Sequence, residues 1–202
     1  MTRVISLVFS VCMVALVAVG IAAVHAQAPG DFAGEPDKSM ASAYQSFVDG
    51  KMDKSAEEIK KAAAYVRKQE KMVAKGATAG VKGAADDLDR LSAEVKKGTV
   101  KSADELKKTF AKVDHAMASA WYETAEAEQK AGKDATKAAR TAGQGLEGAA
   151  KWAGAKLDAG AQAAVDALRT AGRGARMGVD ALGGAIRDLG SGIADLGKKI
   201  GG

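Results

Sequence analysis

The chain has 202 residues, with 47% hydrophobic but only 4% aromatic, 27% charged and a net charge of +5. Most of the apolar fraction is alanine, which excludes a thick aromatic core and requires helices to approach closely. A single cysteine excludes an intramolecular disulfide framework, and lysines interleaved with acids exclude a concentrated nucleic-acid footprint.

The N-terminus reads as a targeting segment. Arg3 precedes an uncharged apolar run from Val4 to Val24, and Val24-His25-Ala26 matches a small-residue cleavage site. Cleavage after Ala26 is the expectation, although the run is long enough to span a bilayer as an uncleaved anchor. Cys12 lies inside this run as apolar filler. Cleavage would remove Arg3 from 30 basic residues against 25 acidic ones, leaving a net charge of +4. An exported chain without cysteine is expected in the periplasm or cell envelope of a bacterium.

Residues 27–36 form a polar linker that holds both prolines, Pro29 and Pro36. Beyond them no proline interrupts a helix, and no alternating β-branched run signals a hairpin of strands. Helix one is expected from Asp37 to Asp49, with Met40, Ala43, Tyr44, Phe47 and Val48 on one face and Gly50 as its stop. Ser55 and Glu58 read as a capping box for a second helix carrying Ile59, Ala63 and Val66. This pair, with Gly50 in the turn and Lys61-Ala62-Ala63, resembles one tetratricopeptide-type hairpin. The likeness is not repeated, so no solenoid follows.

The second helix is expected to continue through Val73 and Ala77 to Leu88, Leu91 and Val95. Its register slips between Ala77 and Ala84, where Gly76, Gly80 and Gly83 cluster, so a kink or break is expected there. After Gly98, Ser102 and Glu105 form a second capping box. The third helix then carries the best core stripe: Leu106, Phe110, Val113, Met117, Ala120 and Trp121. Gly132 ends it. A fourth, alanine-rich helix is expected from Asp134 to Leu168 and beyond, with Trp152 as its one large anchor.

The last stretch carries the clearest pattern. Val179, Leu182, Ile186, Leu189, Ile193, Leu196 and Ile200 step by alternating threes and fours, the seam of a heptad. Glycines at 183, 190 and 197 flank one side, and Gly178, Ala185 and Gly192 the other. Such a helix is weak alone, since glycine costs about 1 kcal/mol relative to alanine in a helix interior.

The expected fold is therefore all-α: an antiparallel up-and-down helical bundle with a Gly-rich amphipathic C-terminal helix. Its parts are a signal peptide (1–26), a linker (27–36), the bundle (37–171) and a heptad tail (172–202).

Chemistry is sparse. His115 is the one histidine left after cleavage, and its position beside Lys108, Lys112, Ser119 and Tyr122 reads as solvent-facing. No Glu-x-x-His, Cys-x-x-Cys-His or His-Glu-x-x-His string occurs, so no catalytic residue, cofactor or metal site is expected. The carboxylates at Asp86, Asp87 and Asp89, and at Glu123, Glu126 and Glu128, read as solvated helix faces. Gly143-Gln144-Gly145 with Gly148 fits a dinucleotide-binding string but has no strand before it. Arg169, Arg173 and Arg176 share one helix face and could contact an anion such as a lipid headgroup or acidic partner.

The reading is a non-enzymatic exported protein that acts by association, with itself or another envelope protein, through the heptad ridge. The alternative is a membrane-surface or stress-protective protein that binds lipid through the same tail. Asp180, Asp188 and Asp195 weaken the lipid reading, because they offset Arg187, Lys198 and Lys199. A composition rich in Ala, Lys, Gly and Glu resembles late-embryogenesis-abundant proteins, but capped helices with a heptad seam specify a fold. Nucleic acid is not an expected partner.

Overall fold

The computed structural model describes residues 34–171 and 177–201. The Val4–Val24 run, Cys12, Arg173 and Arg176 lie outside the described residues. Among the described residues seven α-helices follow in order: α1 (Asp37–Val48), α2 (Met52–Gln69), α3 (Thr78–Lys96), α4 (Ala103–Lys130), α5 (Thr136–Ala153), α6 (Ala159–Ala171) and α7 (Val179–Gly201). No strand occurs among the described residues, and the helices pack as a bundle. None of the described helices is long and apolar enough to cross a membrane.

Each helix packs on its neighbour in sequence, because short connections leave antiparallel docking as the accessible geometry. The longest helix, α4, is the shared wall. It touches α1, α3, α5 and α7. Its buried stripe of Leu106, Phe110, Val113, Met117 and Trp121 follows the helical period. At its start Ser102 Oγ accepts from the Glu105 N–H, the first half of the capping box, while Glu105 Oε1 accepts from the N–H of Lys101, one residue before the cap.

Helices α1, α3 and α4 stop at Gly50, Gly98 and Gly132, all with positive φ. Three local expectations need correction. Ser55 does not cap α2, which starts at Met52; its hydroxyl donates to Ala43 O on α1 at 2.8 Å. The break after α2 falls at residues 70–77, before the stretch from Ala77 to Ala84 where it was expected; of the three glycines only Gly76 lies in it, and Gly80 and Gly83 lie within α3. It is fixed from outside, since the Ala74 N–H donates to Thr124 Oγ1 on α4.

The third correction concerns the alanine-rich segment, which is two helices. Gly154 adopts φ +63°, a conformation costly for other residues, and Ala155 N–H then closes back on Ala150 O. Asp158 Oδ1 accepts from the Ala161 N–H and starts α6. On α1, Met40, Ala43 and Tyr44 are buried as the pattern requires, but Val48 is exposed.

Candidate functional site

Helix α7 lies against α4, α5 and α6. Six of the seven ridge residues are buried: Leu182, Ile186, Leu189, Ile193, Leu196 and Ile200. Val179, at the start, is 79% exposed. The ridge is thus covered by the protein's own bundle.

The small residues beside the ridge have specific occupants. A Cβ at Gly190 would lie 2.7 Å from Tyr122 Oη, one at Gly197 2.8 Å from His115 Nε2, and one at Gly183 3.0 Å from Gln129 Nε2. The three α4 residues, 115, 122 and 129, have the same seven-residue spacing as 197, 190 and 183, in reverse. Two antiparallel helices therefore mesh in register, with α4 side chains seated over bare α7 backbone. Gly197 leaves the Ile193 carbonyl unshielded, and His115 Nε2–H donates to it at 2.9 Å. His115 is half-buried at this contact, which corrects its solvent-facing reading. Burial, with the neighbouring Glu126, pushes the Tyr122 hydroxyl pKa up.

On the opposite flank, a Cβ at Gly192 would lie 2.5 Å from Ala161 Cβ and 3.2 Å from Leu146 Cδ2. Ala161 Cβ cannot rotate away, so an added methyl must push α7 off α6. Gly192→Ala is expected to lower stability by about 1–3 kcal/mol through overpacking. That outweighs the gain of roughly 1 kcal/mol in helix propensity. Gly184 has nothing within 4 Å of an added Cβ, so Gly184→Ala should instead raise stability by about 0.5–1 kcal/mol. Urea unfolding of the pair checks this; two variants stabilised alike would mean that α7 is not seated.

Arg169 pairs with Glu147 and Asp166, so its guanidinium already faces two carboxylates. Arg67 spans Asp86 and Asp89, and Arg90 holds Asp87. Glu126 has Lys130 within 3.9 Å. Among the described residues no group of three or more His, Cys, Asp or Glu is placed to hold a metal ion. The glycine string at 143–148 lies inside α5 and serves packing. A Cβ at Gly145 would lie 3.1 Å from the α4 backbone at Ala118 N and Asp114 O.

That close approach brings two carboxyls together. Gly148 sits beneath Asp114 Oδ2 and Asp37 Oδ1, at 2.6 and 3.2 Å from where its Cβ would be. Trp152 Nε1–H donates to Asp37 Oδ1 at 3.1 Å. Asp114 is 2% exposed and its Oδ2 receives no N–H or hydroxyl donor. Burial pushes the Asp114 pKa well above 3.8, reinforced by the charge of Asp37 and the hydrogen bond between them. Burial raises Asp37 as well, opposed by its hydrogen bonds to Asp114 and Trp152 and by Lys151. A proton shared between the two carboxyls satisfies both. The sequence carried a signal for this pair: Asp114 stands four residues after Phe110 and seven before Trp121, on the apolar face.

The raised carboxyl sets a sign. Above the ordinary carboxyl range the unfolded chain gives up this proton more readily than the folded one. Stability contributed here is therefore present at low pH and lost as pH rises through the folded pKa. Asp114→Asn keeps a donor for Asp37 without needing a proton. It should equal the parent near pH 4 and exceed it by about 1–3 kcal/mol at pH 8, the cost of a buried unsatisfied group. Urea unfolding at the two pH values reads the difference; an unchanged gap would contradict it.

No protein-family model matches this chain, and no curated protein or solved structure matches it either.

Proposed function

We propose that the protein is an exported, non-enzymatic association module of a bacterial envelope, with α7 as an exchangeable clasp. Closed, α7 covers the groove formed by α4, α5 and α6. Released, the ridge and the groove are both open, and each fits its counterpart in a second copy. The observation that carries the reading is the matched spacing of 183, 190 and 197 with 129, 122 and 115. A lipid interface does not demand a side-chain fit of that kind, so the match favours a protein partner over a membrane surface. The polar residues at the seam and the glycine-weakened helix favour a seat that opens reversibly. Export rests on the Val4–Val24 run and the site after Ala26.

Mixing two mass-distinguishable copies tests the reading. Native mass spectrometry is expected to find mixed dimers with the full exported chain and none with a chain ending at residue 171. A full chain that stays monomeric at every concentration, or dimers that persist without α7, would overturn it.

A further inference from the structure

A cleft of about 510 Å³ lies between the start of α4 and the ends of α5 and α7. Four lysines from these three helices line it: Lys107 and Lys108 of α4, Lys151 of α5 and Lys199 of α7. The chain holds 25 acidic residues, yet among the described ones only Asp104 lines this cleft. Lys107 and Lys151 are half-buried, with Asp104 3.4 Å from the first and Glu147 3.6 Å from the second. Lys108 and Lys199 are exposed and form no ion pair among the described residues. Asp195, one turn before Lys199, is held by Lys198 at 2.9 Å instead.

Helix dipoles account for only two of the four. Lys151 and Lys199 stand at the ends of α5 and α7 and complement their carbonyl termini. Lys107 and Lys108 stand in the second turn of α4, beside the end whose dipole favours anions. Four ammonium groups around one concavity repel one another, and its walls focus their field outward. We propose that this cleft binds a small phosphorylated compound with two or more negative charges. One carboxylate would leave most of the surplus charge unmet, whereas phosphate oxygens accept from several ammonium groups at once. The volume falls within the roughly 300–1,000 Å³ of small-molecule pockets and leaves room for an organic part. Because Lys199 belongs to α7, the four lysines come together only while α7 is seated. A ligand held by all three helices therefore stabilises the seated form. The site goes beyond the clasp reading and does not depend on it.

Titration calorimetry on the full exported chain, with inorganic diphosphate as the probe, tests the site. Diphosphate should bind, and Lys108→Gln with Lys199→Gln should weaken it by about tenfold or more. Both side chains are exposed, so the melting temperature of this pair should match the parent. Lys68→Gln with Lys71→Gln removes the same charge outside the cleft and should weaken binding by less than about twofold. Hydrogen exchange reads the link to α7: diphosphate at about ten times Kd should slow exchange of its amides about tenfold. Lys199→Gln should remove that slowing. A lipid headgroup carries the same chemistry, so sedimentation with vesicles of phosphatidic acid and phosphatidylcholine is a further arm. Diphosphate binding without sedimentation assigns a soluble ligand; sedimentation that the Lys108 and Lys199 pair abolishes assigns the headgroup. The proposal is overturned if diphosphate does not bind up to about 10 mM, or if the Lys68 and Lys71 pair loses as much affinity as the cleft pair. Exchange in α7 that bound diphosphate leaves unchanged equally overturns it. None of these readouts requires two copies to exchange, so failure of the clasp reading would show separately.

Discussion

Replacing Trp152 with alanine is expected to cost about 3–5 kcal/mol of stability. The indole is 2% exposed in a core otherwise built mostly from alanine, valine and leucine. Its ring meets Phe110 edge-on at 5.0 Å and Tyr44 at 6.0 Å, so one side chain joins α5 to α4 and α1. The surrounding helices are already close at Gly145, and their small side chains cannot swing in to fill the gap. The variant also strips Asp37 of its indole donor. A chain of this size loses about 2–4 °C per kcal/mol, so melting should fall by roughly 10 °C. Calorimetry checks it, and a fall of only a degree or two would show that Trp152 is not the junction of the three helices.

Leu189→Ala should cost about 2–5 kcal/mol, and Val179→Ala less than about 0.5 kcal/mol. Both residues stand on the heptad seam. They differ in what covers them: Leu189 is 0% exposed, with its Cδ2 beside Gly143, whereas Val179 is 79% exposed. Urea unfolding of lipid-free protein separates them. Equal, negligible losses would mean that the ridge is unpartnered in solution.

The fold was legible where local chemistry decides it. Gly50, Gly98 and Gly132 stop helices because each follows an amphipathic run, and Ser102 with Glu105 starts one. The ridge register was legible because its period holds without a slip. The break at Gly154 was hidden by spacing: Ala149, Ala153, Leu157 and Ala161 step by four straight across it. The end of α2 was hidden for a different reason, since its anchor, Thr124, stands 50 residues away in sequence from Ala74. Ser55 fits a capping box by sequence, but its hydroxyl finds a better acceptor on the neighbouring helix.

The candidate sites divide in the same way. The glycines at 183, 190 and 197 were visible as a bare flank, but their occupants on α4 were not. His115 looked solvent-facing because its acceptor, Ile193 O, is 78 residues distant. Asp114 was passed over in the sequence, although an acid on an apolar stripe is a signal that could have found it. Its partner, Asp37, lies near the other end of the described chain, and only the crossing of α5 over α4 at Gly145 and Gly148 brings the two together.

Hydrogen exchange of α7, with and without vesicles of anionic phospholipid, tests most directly whether the ridge belongs to protein. The account predicts that amides from Leu182 to Leu196 are protected in lipid-free protein and that vesicles leave this protection unchanged. Amides that exchange freely in solution and become protected only on vesicles would contradict it.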